Sequence, residues 1–282
     1  MRTTIPLVHD WEFAKSRTIA EGEDHNIPDG RWQAIRIPHD WAVAGPFDSH
    51  HDVQVRGNEL LIGRTGGLPH VGMAWYRRQF RLPAGSRGKR VCVEFDGVMS
   101  HAVVYVNGTE VGAWPYGYSS FCFDITDAVD TEGENVLAVS VNNLPFASRW
   151  SPGAGIYRHV RLLVMAPLHV AHWGTTVTTP EVRPDRATVQ VRNELVHEAE
   201  GAAAATVTTT VLDPAGRAVA EATTDHTVTG RFVAVHRHQV DGPQLWDLDS
   251  PALYRVVTAL SRDGEVCDRV ETAFGIRTLG FD

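Results

Sequence analysis

Apolar and polar positions alternate with period two along most of this chain. Val91, Val93 and Phe95 fall on one side of a short run, Val104 and Val106 on one side of another, and Leu137, Val139 and Val141 on one side of a third. Such alternation marks a half-buried β-strand, whereas a helix would repeat its apolar positions every three or four residues. Gly, Pro, Asn and Asp punctuate the runs. Asn107-Gly108 separates Val103–Val106 from Val111, and Asp263-Gly264 separates Val256–Leu260 from Val266–Val270. Each dipeptide supplies the positive φ angles of a type I′ turn and predicts a tight hairpin. Helical periodicity is nearly absent, so the chain reads as all-β, with two sandwiches.

The texture changes near Pro167. Trp11, Trp32, Trp41, Trp75, Trp114 and Trp150 precede it, while Ala, Thr and Val dominate the remainder, with Trp173 and Trp246. After it, seven strand-like runs start near Thr175, Ala187, Ala203, Arg217, Arg231, Tyr254 and Glu265. Seven short strands in about 110 residues fit an immunoglobulin-like sandwich, here without a Cys–Trp–Cys core. The length of 282 residues also suits two domains.

Charge narrows the function classes. Lys and Arg total 26 against 34 Asp and Glu, a net charge of −8, which argues against nucleic acid and anionic membranes as partners. No apolar run reaches membrane-spanning length, and the first ten residues lack a signal-peptide core. Cys92, Cys122 and Cys267 are too widely spaced for a disulfide framework or a zinc ribbon. They are expected as small buried hydrophobes in a reducing, cytoplasmic compartment.

Several segments then carry a resemblance. They are Ile37-Pro-His-Asp-Trp41, Gly72-Met-Ala-Trp-Tyr-Arg-Arg-Gln-Phe80, Phe95-Asp-Gly-Val-Met99, Val104-Tyr-Val-Asn-Gly108, Tyr116-Gly-Tyr-Ser-Ser-Phe121, Asn135-Val-Leu-Ala-Val139 and Arg149-Trp-Ser-Pro-Gly-Ala-Gly-Ile-Tyr-Arg158. In this order they resemble the sugar-binding jelly roll of family 2 glycoside hydrolases, the β-galactosidase and β-glucuronidase group. Leu245-Trp-Asp-Leu-Asp-Ser-Pro-Ala-Leu-Tyr254 and Phe274-Gly-Ile-Arg277 are similar to the immunoglobulin-like domain that follows in that family. The resemblance implies a jelly-roll β-sandwich over residues 1–168 and an immunoglobulin-like β-sandwich over 169–282. It also implies a (β/α)8 barrel beyond them, absent from this sequence, that carries both catalytic glutamates.

Retaining glycosidases need two carboxyl groups about 5–5.5 Å apart. The family's acid/base follows an Asn. Asn58-Glu59 falls in a Gly-rich loop and Asn193-Glu194 at a strand end, so both read as solvated surface carboxylates and no catalytic residue is assigned. Asp48, His50, His51 and Asp52 read as a solvated loop, and no metal or cofactor is called for. His236 and His238 alternate on one strand face, expected to be exposed and polar. Gly63-Arg-Thr-Gly-Gly67 lacks the Gly-Lys-Ser/Thr ending of a phosphate loop. His39-Asp40-Trp41 reads as structural, its charged pair ordering the chain while Trp41 packs.

The resemblance implies that Arg149 and Trp150, with Asn143, help shape the sugar subsite. Arg offers a fork of donors and Trp a flat apolar face. Ser151 stands where many relatives have Tyr. The first functional expectation is therefore the non-catalytic part of a β-galactosidase-like hydrolase. It would support a catalytic barrel supplied in cis or trans, complete its site for a terminal β-glycoside, and contribute to homo-oligomer contacts. The alternatives are a free-standing carbohydrate-binding module, with Trp114, Tyr116 and Tyr118 as its platform, or an inactive truncated product.

Overall fold

A computed structural model describes residues 1–15, 32–45, 53–56, 58–62, 72–143 and 153–278. They form two compact units, Thr3–Val164 and Met165–Asp282, the latter joined by Met1–Arg2. Both are built from strands, and no helix among the described residues is long and apolar enough to cross a membrane.

The first unit opens with β1 (Thr3–Pro6), β2 (Trp11–Lys15) and β3 (Gln33–Ile35), followed by a hairpin of β4 (Val53–Arg56) and β5 (Glu59–Ile62). Then come β6 (Gly72–Phe80), β7 (Arg90–Phe95), β8 (Ala102–Val106), β9 (Thr109–Trp114), β10 (Phe121–Asp124), β11 (Asn135–Asn143) and β12 (Val160–Met165). One sheet has the order β1-β12-β7-β10 and the other β3-β2-β6-β11-β8-β9. The crossovers this order demands are those of a jelly roll. Val91, Val93, Phe95, Val104, Val106, Leu137, Val139 and Val141 are all fully buried in one core with Trp11 and Tyr76. The period-two reading thus identified the inner faces of both sheets. Asn107 and Gly108 have φ of 51° and 82° and link the directly paired Val106 and Thr109, as a type I′ hairpin requires.

The same alternation corrects the expectation for two cysteines. Cys92 sits between core-facing Val91 and Val93, and Cys122 between Phe121 and Phe123, so both thiols point to the outer face and are half-buried. Cys267 is also half-buried, but packs against the second unit's core and donates its thiol to Leu260 O at 3.3 Å.

Among its described residues the second unit has seven strands: β13 (Leu168–Val182), β14 (Arg186–His197), β15 (Ala203–Leu212), β16 (Ala218–Val228), β17 (Gly230–Asp241), β18 (Tyr254–Arg262) and β19 (Glu265–Phe274). Sheets β13-β14-β17 and β16-β15-β18-β19 give the three-plus-four division of an immunoglobulin-like sandwich. Asp263 (φ 52°) and Gly264 (φ 81°) make the second type I′ hairpin, between paired Arg262 and Glu265.

Polar clusters lie inside this unit. Asp268 is fully buried. It accepts from Arg2 Nε at 3.1 Å and Nη2 at 2.9 Å, and from the backbone N–H of Val170 at 2.8 Å and Arg269 at 2.9 Å. With both oxygens occupied, the buried carboxylate escapes the penalty of an unpaired charge. His236 and His238 form a second cluster. The expected exposed face is wrong, because both imidazoles are buried. Arg231, Arg237, Gln239 and Asp241 take the outer face of β17, which turns Ala234, His236, His238 and Val240 inward. The Thr209 hydroxyl lies 2.6 Å from His236 Nδ1 and 2.8 Å from His238 Nε2, and Thr224 Oγ1 lies 2.8 Å from His236 Nε2. Desolvation, then the neighbouring imidazole, pushes the pKa of His238 down; His236 is lowered by desolvation and by His226.

Candidate functional site

Four segments of the chain are bonded into one corner of the first sandwich. His39 N–H donates to Ile156 O at 2.8 Å and Trp41 N–H to Ala154 O at 3.0 Å. Met99 and Gly155 exchange both backbone bonds, at 3.0 and 2.8 Å. Asn142 N–H donates to Ser100 O at 2.9 Å, and the Ser100 hydroxyl donates back to Asn142 O at 3.2 Å. The corner therefore grips the chain on both sides of residues 144–152.

Asp40 is the tie. Its Oδ1 accepts from the N–H groups of Ala42 and Ala154, both at 2.9 Å. A side chain at Gly153 would place its Cβ 2.7 Å from Asp40 Oδ2, so the carboxylate would have to shift to admit one. Gly155 has φ 119°, a conformation that L side chains rarely adopt, and a Cβ there would collide with the Tyr76 hydroxyl.

Tyr76 and His39 complete the corner. The Tyr76 oxygen lies 2.8 Å from His39 Nδ1. Burial raises the Tyr76 pKa well above the usual phenol range, with Ile156 N–H opposing this and Asp40 adding to it. Burial lowers that of His39; Asp40 opposes the shift and Lys15 reinforces it. Both shifts favour the uncharged forms, a protonated phenol beside a neutral imidazole. Trp41 is buried beside Phe13 at a ring separation of 5.6 Å. A pocket of about 350 Å³ adjoins them, lined by Phe13, Lys15, Gln33, His39 and Trp41 among others. Two aromatic walls, an imidazole, an amide and an ammonium suit it to a small polar molecule with an apolar face.

The residues expected to shape a sugar subsite are distributed as follows. Asn143 ends β11, buried and opposite Gly72, directly before the gripped segment. Arg149 and Trp150 lie outside the described residues, as do Asp48, His50, His51 and Asp52 and the run Gly63–Gly67. Asn58-Glu59 forms an exposed hairpin end rather than a loop. Asn193 is in mid-strand, not at a strand end. It is buried, and its Oδ1 accepts from Thr175 at 2.8 Å and Thr258 at 3.1 Å, while neighbouring Glu194 pairs with Arg231. The aromatic platform is smaller than expected. Trp114 turns in, stacking on Phe121 and donating Nε1–H to Ser119 Oγ at 3.1 Å, which leaves Tyr116 and Tyr118 exposed. Sequence reasoning missed the reach of Asp40 to Ala154; the only signal was the recurrence of glycine at 153 and 155.

Residues 9–166 match the sequence model described as Glycosyl hydrolases family 2, sugar binding domain, which is more than half the chain. The chain belongs to glycosyl hydrolase family 2. Residues 168–277 match a second model of that family. A β-galactosidase of Bacteroides ovatus is 37% identical over 97% of this chain, and a β-glucuronidase of Formosa agariphila is 31% identical over all of it. The crystal structure of a family 2 member from Bacteroides cellulosilyticus superposes with a TM-score of 0.84 at 34% identity, over 99% of the chain. The chain spans only 31%, 30% and 36% of these three proteins, so it is the non-catalytic sandwich portion of the family 2 architecture.

Proposed function

We propose that these sandwiches serve a retaining β-glycosidase of the β-galactosidase type. The first would hold residues 144–152 so that Arg149 and Trp150, with Asn143 at the segment's root, complete a sugar subsite opening on a catalytic barrel. The 37% identity to the B. ovatus β-galactosidase across nearly the whole chain carries this reading. The corner supports it, because Asp40 and the backbone pair Met99–Gly155 hold the residues after the segment and Ser100 holds Asn142 before it. Arg149 would fork hydrogen bonds to sugar hydroxyls and Trp150 would cover a ring face. The carboxyl pair that breaks the glycosidic bond would come from the barrel.

The test uses the polypeptide with its barrel and a nitrophenyl β-galactoside. Arg149→Ala should raise KM about tenfold, the loss of about 1.4 kcal/mol of sugar binding. Unchanged KM and kcat would remove Arg149 from the subsite, and hydrolysis by residues 1–282 alone would overturn the non-catalytic assignment. A free-standing carbohydrate-binding module is the second reading, favoured by the exposed Tyr116 and Tyr118, whose ring centroids lie 5.7 Å apart. At an interplanar angle of 62° they present no continuous plane to a sugar. Calorimetry with galactose and oligosaccharides that shows no heat at millimolar ligand rejects it.

A further inference from the structure

In the second unit, β15, β16 and β17 turn a continuous line of hydroxyls and imidazoles toward one another. Thr209 Oγ1 lies 2.8 Å from His238 Nε2 and 2.6 Å from His236 Nδ1. The other nitrogen of His236, Nε2, lies 2.8 Å from Thr224 Oγ1, which lies 2.7 Å from His226 Nε2. Thr209 is fully buried, so no water stands in for either imidazole at its hydroxyl. That hydroxyl carries one proton; it donates to one of its two nitrogens and accepts from the other. The two histidines are therefore not independent. If Thr209 donates to His236 Nδ1, it accepts from His238, and both neutral rings carry their proton on Nε2. If it donates to His238 Nε2, it accepts from His236, and both carry their proton on Nδ1.

One added proton leaves this arrangement intact. A charged His236 donates to Thr209, which donates on to His238; a charged His238 donates to Thr209, which donates on to His236. A second proton breaks it, because both rings then donate to Thr209 and the hydroxyl hydrogen has no acceptor. It also sets two like charges on rings whose centroids are 6.1 Å apart. No carboxylate relieves them. Glu221 and Asp225 lie on the outer face of β16 and accept from Thr210 and Thr206, Asp268 on β19 is paired with Arg2, and Arg237 and Asp241 lie on the outer face of β17. In register with the two rings β14 offers Val191 and Val189, and on β18 Thr258 lies opposite Thr209 while the Tyr254 hydroxyl is held by Gln244 N–H. β16 and β17 are the edge strands of their sheets, so the line ties the two sheets together along one side. We propose that His236, Thr209 and His238 form a single-proton switch, which binds one proton shared between two buried imidazoles, fills through Thr224 and His226, and releases β17 from β15 when a second proton is forced in. Thr224 is exposed and His226 half-buried, so the inlet meets solvent. A proton taken up at His226 Nδ1 sends the Nε2 proton to Thr224, whose own proton moves to His236 Nε2.

The full chain is titrated from pH 8 to 5 and followed by the chemical shifts of the imidazole nitrogens, which read tautomer and charge separately at each ring. At the alkaline end His236 and His238 should show the same tautomer. On acidification both should titrate with one common midpoint, and their fractional protonations should sum to a single proton, about half on each, while the unit stays folded. Thr209→Ser keeps the hydroxyl and should preserve the common midpoint. Thr224→Val, at an exposed position, should leave the pair coupled and separate only His226 from it. The proposal is overturned by opposite tautomers on the two rings, by two separate midpoints in the natural chain, or by a full proton on each ring while β17 keeps its place. A His226 that still titrates with the pair in Thr224→Val overturns the inlet.

Discussion

Asp40 offers the most direct test of how the corner is held. Asp40→Ala removes the acceptor of two backbone N–H groups, those of Ala42 and Ala154, at 2.9 Å each. Both donors belong to fully buried residues, so no water replaces the carboxylate readily. A hydrogen bond to a charged group contributes about 1.5–3 kcal/mol. Asp40 is itself half-exposed, which favours the lower figure, and two bonds then give about 3 kcal/mol. In urea the midpoint for the first unit should fall by about 1–1.5 M. Fluorescence can follow that unit through Trp11, Trp41 and Trp75, all buried within it. Asp40→Asn retains an oxygen in the same place and should cost about 1 kcal/mol, the loss of charge assistance. The two alterations cannot behave alike if the oxygen is what matters. Gly153→Ala adds an internal check, since its Cβ meets Asp40 Oδ2 at 2.7 Å. It should destabilise the natural chain and cost much less in the Asp40→Ala background. Equal midpoints for Asp40→Ala and Asp40→Asn, or strict additivity with Gly153→Ala, would refute the assignment.

Three further outcomes concern the second unit. The folded pKa values of His236 and His238 lie below the ordinary 6.5, so stability should be flat above pH 6.5 and fall below it, as the unfolded chain binds protons that the folded imidazoles refuse. Urea titrations from pH 8 to 5 would show this, and stability rising with acid would contradict it. Thr209→Val leaves His236 Nδ1 and His238 Nε2 without their shared hydroxyl and should cost about 2–4 kcal/mol by the same titration. Gly264→Ala meets no atom within 4 Å, so its expected cost of about 1 kcal/mol is purely that of φ +81° and should be independent of salt.

How far the chain could be read residue by residue follows from what each signal depends on. Period two at Val91–Phe95 and Leu137–Val141, and turn chemistry at Asn107-Gly108 and Asp263-Gly264, are local, and each appears where expected. The histidines of β17 were misread because polarity was weighed residue by residue. The parity of Arg231, Arg237, Gln239 and Asp241 already assigns the outer face and forces His236 and His238 inward. Cys92 was misread in the same manner, although its two valine neighbours face the core. The corner itself was not legible. Asp40 and Ala154 are 114 positions apart, and nothing local in Pro-His-Asp-Trp says which amide the carboxylate will find.

The cation that neutralises Asp268 comes from residue 2, across 266 positions of chain. The second sandwich is thus discontinuous, and residues 3–164 are inserted into it. Anyone dividing this protein for separate production would cut at the obvious linker near Pro167. The excised carboxyl-terminal piece would then contain every one of its seven strands and still be incomplete. It would carry a buried aspartate without its arginine, and a burden of several kcal/mol for that orphaned charge. The boundary that preserves the fold is therefore not a single position, and a dipeptide at the far end of the chain decides whether the fragment stands alone.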